Sequence, residues 1–330
     1  MNRVDVTIIG GGPVGLFAAF YAGMRGMSCR IVDSLPELGG QLMALYPEKY
    51  VFDMPGFPKV LAKDLAHEMA RQGLEFGAEA VLEETAGELR QDGEGYTVVT
   101  AKGLQLPTRT LIISAGAGAF SPARIGLDRE EEFEGRGLSY GVREKSAYAG
   151  KNLAIVGGGD SAFDWALNLE PVAGDITLVH RRDQFRAHED SIKQVMASRV
   201  KMKLWCAVKE LHGDGRLNAV TIENSQTGAR ERIEIDALIV NVGYKSSLGP
   251  IKTWGLDLDK NQILVNPQTY ETNLRGVFSV GDVCSFPGKI KLIATGVGEA
   301  VTAVCIAKTR LDPEAKLFPG HSSDMQLGLG

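Results

Sequence analysis

Two short clusters hold the residues of this chain whose types and spacing point most clearly to chemistry: Gly10-Gly11-Gly12-Pro13-Val14-Gly15 and Gly157-Gly158-Gly159-Asp160-Ser161-Ala162. Gly10 or Gly157 permits a tight turn, and Gly12 or Gly159 lets the backbone approach a pyrophosphate. The third position, Gly15 or the similarly small Ala162, lets a helix pack closely on a strand. A helix starting there turns unpaired N–H groups and the positive end of its dipole toward phosphates. The chemistry indicated is the binding of two dinucleotides.

The residue that follows each cluster at a fixed distance separates the two sites. Asp33 lies 23 residues after Gly10, where a carboxylate accepts hydrogen bonds from ribose hydroxyls. Twenty-three residues after Gly157 stands His180, followed by Arg181, Arg182 and Arg186. An arginine cluster favours a 2′-phosphate, so the second site reads as one for NADP(H); a solvated basic strand end is the plainer alternative. A charge-assisted hydrogen bond contributes about 1.5–3 kcal/mol, so a single such contact implies roughly tenfold or greater preference for NADPH over NADH.

The elements that must position these residues repeat as well. VDVTIIGGGPVGLFAAFYAGMRGMSCRIVDS and KNLAIVGGGDSAFDWALNLEPVAGDITLVHRR each read strand, turn, helix, strand. Each is followed by a polar region with hairpin character that closes in a buried apolar strand, ending LIISAGA in the first half and ALIVNVGY in the second. The remaining stretch, GVFSVGDVCSFPGKIKLIATGVGEAVTAVCIAKTRL, reads as a return to the first module, with Asp282 at a strand end beside a helix, where it could bond a polyol hydroxyl.

Composition excludes several classes. At 330 residues the chain suits two domains, and 44% hydrophobic with 23% charged residues is a globular balance. A net charge of −5 argues against a general nucleic-acid binder. With neither a leader pattern nor a long apolar run, a cytoplasmic protein is expected. Cys29, Cys206, Cys284 and Cys305 are far apart and form neither a CxxC nor a metal-ligand pattern, so no metal site is expected.

Six motifs in order, GGGPVG with Asp33, LGGQL at 38–42, LIISAGA, GGGDSA, HRRDQFRAHE and GVFSVGD, resemble the two-domain flavoproteins of the low-molecular-weight thioredoxin reductase fold. The resemblance implies an α/β fold of two Rossmann-like three-layer domains, FAD in the first site, NADPH in the second, and a homodimer. The implied division is an FAD-binding domain over 1–117 and 244–310, an NADP(H)-binding domain over 118–243, and a tail over 311–330. Thioredoxin reductases carry a redox-active CxxC just before the GGGDSA strand. Here Tyr140-Gly141-Val142-Arg143-Glu144-Lys145 stands in that place, without sulfur. A flavin cannot pass electrons to a disulfide through it.

ALYPEKYVFDMPGFPK after LGGQL, and the tail LFPGHSSDM at 317–325, are similar to the thioredoxin-reductase-like ferredoxin–NADP(+) reductases. That branch implies hydride transfer between NADPH and FAD and single-electron exchange with a ferredoxin or flavodoxin. It implies no protein acid or base. For FAD it implies Gly10, Gly12, Pro13 and Gly15 at the phosphates, Asp33 at the adenosine ribose and Ala86 at adenine. Gly39, Gly40 and Gln41 would contact the flavin side, Asp282 the ribityl or pyrophosphate region, and Phe120 the cofactor at the domain crossing. Tyr46 would stack on one flavin face; His321 of the tail, crossing from the partner subunit, would cover the other, with Ser323 near the ring edge. Gly157, Gly159, Asp160, Ser161, His180, Arg181, Arg182 and Arg186 would bind NADPH. An acidic ferredoxin would meet a basic patch drawn from Lys193, Arg199, Lys201, Lys203, Lys289 and Lys291, with Arg143 and Lys145 as further candidates. An NAD(P)H oxidase or small-molecule reductase of the same fold, and a non-enzymatic FAD/NADP-binding sensor, are the rival readings.

Overall fold

In a computed structural model of the chain, residues 1–93, 95–116 and 118–324 are described, with backbone alone at 119–121, 245–246 and 324. The chain forms two compact units, 1–120 with 246–330 and 121–245, and passes from one to the other through Ala119–Pro122 and Tyr244–Ser247.

The first unit is built on strand β1 (Val4–Ile9), helix α1 (Pro13–Met24) and strand β2 (Cys29–Val32). Strand β1 lies between β2 and Gln105–Ile113, parallel to both, which makes it a central strand. Its side chains accordingly bury on both faces, Val6 and Ile8 in one core and Ile9 in another, with Thr7 also fully buried. Strand Gln105–Ile113 divides its edge. Its first half pairs antiparallel with Gly95–Thr100, and its last three residues pair parallel with Val277–Ser279. The late part of the chain thereby completes the sheet that the N-terminus begins. Helix α1 buries Gly15, Leu16, Ala18, Ala19 and Ala22 and packs on helices Ala62–Leu74 and Ile293–Leu311; its small side chains permit this close approach.

The second unit repeats the plan. Strand β3 (Leu153–Gly157) leads into helix α2 (Asp160–Leu169) and strand β4 (Ile176–His180). β3 pairs parallel with β4 on one side and with Ala237–Asn241 on the other. An antiparallel three-stranded sheet, Cys206–Gly213, Leu217–Asn224 and Arg230–Glu234, provides the expected hairpins. Cores form on the two faces of the parallel sheet, one holding Ile155 and Leu178, the other Ala154 and Val179. No helix among the described residues is long and apolar enough to cross a membrane.

Candidate functional site

In the first unit the β1–α1 turn opens onto a cavity of about 670 Å³, a size within the usual range for cofactor sites. Gly12 is the N-cap of α1 in extended geometry and no side chain caps it, so the first-turn N–H groups are left for a ligand. Gly10, at φ +107°, adopts a conformation that L side chains rarely reach; Gly15 packs against the Gly10 carbonyl beneath the turn and is not on the wall. Gly40, at φ +56°, brings its backbone so near Gly12 that an added Cβ would lie 2.8 Å from the Gly12 Cα. The LGGQL turn and the phosphate loop therefore approach as bare backbone.

Gly10, Gly12, Pro13, Asp33, Gly40, Gln41, Tyr46, Ala86 and Asp282 all line this cavity. Asp33 is buried, and its carboxylate accepts the Gly11 N–H at 2.6 Å and the Leu35 N–H at 2.9 Å. Burial raises its pKa; the Leu35, Gly11 and Ser34 amides act in the opposite sense and compensate only in part. Glu84 also lines the cavity, and its Oε2 is buried with no hydrogen-bond partner among the described residues. A buried acceptor without a donor is costly, and hydroxyl and amino groups of an adenosine would supply one. FAD thus fits the residues present: bare backbone for its phosphates, acidic acceptors for its adenosine end and Tyr46 for its ring. Burial, then the nearby carboxylates of Asp282 and Asp53, raise the Tyr46 hydroxyl pKa.

Tyr50, Phe52, Glu84 and Leu292 also line the cavity without having been read from the sequence, and Lys291, expected in the docking patch, lines it too. The aromatic pair stands inside the quoted ALYPEKYVFDMPGFPK stretch, and that was the available signal. Gly39, at φ +114°, shapes the LGGQL turn. Phe120 lies in strand Ala119–Pro122, and its side chain falls outside the described part. His321 and Ser323 are exposed and are not on the cavity wall; the His321 ring meets Phe318 edge-on at 5.3 Å. Residues 325–330, Met325 among them, lie outside the described residues.

In the second unit Gly159 is the extended N-cap of α2, and a Cβ added to it would meet no protein atom within 4 Å. That space is open to a ligand. Arg181, Arg182 and Arg186 are exposed, and among the described residues none is engaged in an ion pair. Their charge is free for a phosphate, which fits NADPH. His180 has a different place: its ring fills the position of a Gly158 side chain, and Nε2 lies 3.1 Å from the Gln184 carbonyl. The Arg186 N–H donates to the Gly158 carbonyl at 2.7 Å and the His188 N–H to the Asp160 carboxylate at 2.8 Å. These contacts fasten the arginine turn to the glycine loop. Ser161 is exposed on the first turn of α2.

The Tyr140–Lys145 segment is anchored in the core at two positions, while Arg143 and Glu144 are exposed. Tyr140 and Val142 are buried, and the Tyr140 hydroxyl donates to the buried Glu130 carboxylate at 2.6 Å. Burial and that carboxylate raise the tyrosine pKa. All four cysteines are free and buried, and burial pushes Cys29 and Cys284 up to about 12, far from a reactive thiolate at neutral pH.

The expected basic patch needs correction. Lys289 is only 6% exposed and pairs with Glu299, so it offers no charge to a partner. Arg199, Lys201 and Lys203 pair with Glu170, Asp175 and Glu231. Lys291 lines the cavity, and the Lys145 ammonium donates to Asn168 at 3.2 Å.

Residues 4–303 match the family model of the pyridine nucleotide-disulphide oxidoreductases. The chain is 51% identical over 323 residues to a ferredoxin–NADP reductase of Halalkalibacterium halodurans, covering 97% of both chains. It is 47% identical over 321 residues to ferredoxin–NADP reductase 2 of Bacillus subtilis, covering 97% of this chain and 96% of that one. Among solved structures, the thioredoxin reductase of Lactococcus lactis superposes with a TM-score of 0.76 at 25% identity, covering 92% of this chain and 98% of that one. That of T. acidophilum superposes with a TM-score of 0.78 at 24% identity, covering 94% and 99%. Two dinucleotide sites on paired Rossmann-like units and full-length likeness at about half identity lead to one assignment: the chain belongs to the pyridine nucleotide-disulphide oxidoreductase family, in its ferredoxin–NADP reductase group.

Proposed function

We propose that this protein is a ferredoxin–NADP(+) reductase that binds FAD in the 1–120/246–330 unit and NADPH in the 121–245 unit. The observation that carries this reading is the burial of Tyr140 and Val142, with no sulfur, in the segment where the resemblance places a dithiol relay. Bound FAD would supply the conversion of a two-electron hydride donor into a one-electron source. The chain supplies position and charge. The α1 turn and Gly40 hold the phosphates, while Asp33 and Glu84 accept from the adenosine end. Tyr46 offers a flat apolar face at small entropic cost, and Arg181, Arg182 and Arg186 select the 2′-phosphate.

The same reading extends to a cytoplasmic homodimer in which His321 and Ser323 of the tail cover the partner's flavin, with flavodoxin as a second acceptor. Four free thiols are in keeping with a reducing compartment. The buried Arg25 guanidinium donates to the carbonyls of Lys316 at 2.6 Å and Leu317 at 2.8 Å, which anchors the tail at its start.

The test is NADPH-driven cytochrome c reduction with and without ferredoxin or flavodoxin. Strong stimulation by either carrier is expected, together with bleaching of the flavin by NADPH. NADPH oxidation by oxygen at full rate, with no stimulation by either carrier, would move the protein to the NAD(P)H oxidase reading.

A further inference from the structure

One ion pair among the described residues has both side chains deeply buried: Lys289, 6% exposed, and Glu299, 5% exposed. Glu299 lies on helix Ile293–Leu311 and Lys289 in the connection before it. One carboxylate oxygen accepts the Lys289 ammonium at 2.5 Å and the other accepts the Gly281 N–H at 2.8 Å. The Cys284 sulfur is 3.6 Å from that second oxygen. Gly281 has φ +76°, a conformation L side chains rarely adopt, and a Cβ there would lie 3.4 Å from Val14, in the first turn of α1. Its neighbour Asp282 lines the cavity, as do Lys291 and Leu292 of the Lys289 connection and Ile293 at the start of the helix.

Taking two charges out of water is expensive, and apolar side chains of similar size would often fill such a space as stably. Packing alone therefore does not account for the pair. What apolar side chains could not provide is an acceptor for the Gly281 N–H. We infer that Glu299, held by Lys289, is a positioning residue for FAD: it fixes the Gly281 turn so that Asp282 stays on the cavity wall, and it ties that turn to the Lys289–Ile293 wall segment.

This inference rests on FAD occupying the cavity, and two double variants test it. Lys289→Met with Glu299→Gln removes both charges but keeps a carbonyl acceptor for Gly281; Lys289→Met with Glu299→Leu removes the acceptor too. FAD release from the holoenzyme, followed by the rise in free-flavin fluorescence after dilution, should be about five- to tenfold faster in the Leu variant than in the Gln variant. The Leu variant's apoprotein should melt a little lower, because the Gly281 N–H has lost its acceptor, and NADP+ affinity should not differ between the two. Equal release rates would overturn the inference. So would release that differs only in step with apoprotein stability, or failure of both variants to fold, since each assigns the pair to the core. Wild-type protein that binds no FAD would instead refute the functional reading beneath it.

Discussion

The third position of the glycine motif is Gly15 in one unit and Ala162 in the other, and the structure predicts that the two cannot be exchanged. A Cβ on Gly15 would overlap the Gly10 carbonyl oxygen and lie 2.6 Å from the Ser114 Oγ. The Gly10 backbone cannot easily yield, because its N–H donates to Val32 at 2.9 Å within the sheet, and the Ser114 N–H bonds Ile9 at 2.8 Å beside it. Overpacking of this kind costs about 1–3 kcal/mol, and contact with backbone places it at the upper end. The gain in helix propensity on replacing glycine by alanine returns about 1 kcal/mol. The net loss is about 2 kcal/mol, or a melting temperature about 4–8 °C lower for a unit of this size. FAD should also leave faster, since the displaced turn is the one proposed to hold its phosphates. Differential scanning calorimetry of Gly15→Ala and Ala162→Gly provides the comparison. Ala162 is fully buried, and its removal should also destabilise, through lost propensity and lost methyl burial. Propensity alone predicts the opposite sign for Gly15→Ala, so an unchanged or raised melting temperature in that variant would refute the steric argument.

Gly159→Ala tests the second motif from the other direction. No protein atom lies within 4 Å of the added Cβ, so the melting temperature should hold while NADP+ affinity, measured by titration calorimetry, falls about tenfold; unchanged affinity would remove Gly159 from the site. Tyr140→Phe tests the segment that stands in place of a dithiol. Its hydroxyl bonds Glu130, whose pKa lies below the ordinary carboxylate value: burial raises it, and the Tyr140 hydroxyl with the Ile125, Gly126 and Leu127 amides lowers it further than burial raises it. A depressed carboxylate pKa gives stability that is full above about pH 4.3 and is lost as pH falls through the folded value. Without the hydroxyl, stability at neutral pH should drop by about 1.5–3 kcal/mol and acid unfolding should begin at higher pH. Coincident acid-unfolding curves for the variant and the parent would contradict this account.

The two dinucleotide modules were legible because their signals are local. A strand running into glycines at set spacings, then a helix, then an acid or a basic run 23 residues on, specifies a turn and a helix N-terminus with no reference to distant residues. The cavity residues from Gly10 to Gln41 belong to that category. Tyr50, Phe52 and Lys291 do not, because the fold brings those segments to the wall.

Charge pairing was the least legible property. Lys289 and Lys291 are two residues apart in one basic stretch, yet one is buried against Glu299 and the other lines the cavity. Lys201 and Lys203 likewise meet Asp175 and Glu231, carboxylates more than twenty residues distant. His180 reads as a ligand contact from its place in the HRR run, but its ring braces Gly158. By itself the sequence showed two Rossmann-like modules, a basic run suited to a 2′-phosphate and the absence of a thiol relay, because turn geometry and residue chemistry are properties of short segments. Only the tertiary structure decided which charges remain free, which acid is buried among backbone amides and which glycine must stay a glycine. Desolvation and steric contact depend on atoms brought together from distant parts of the chain.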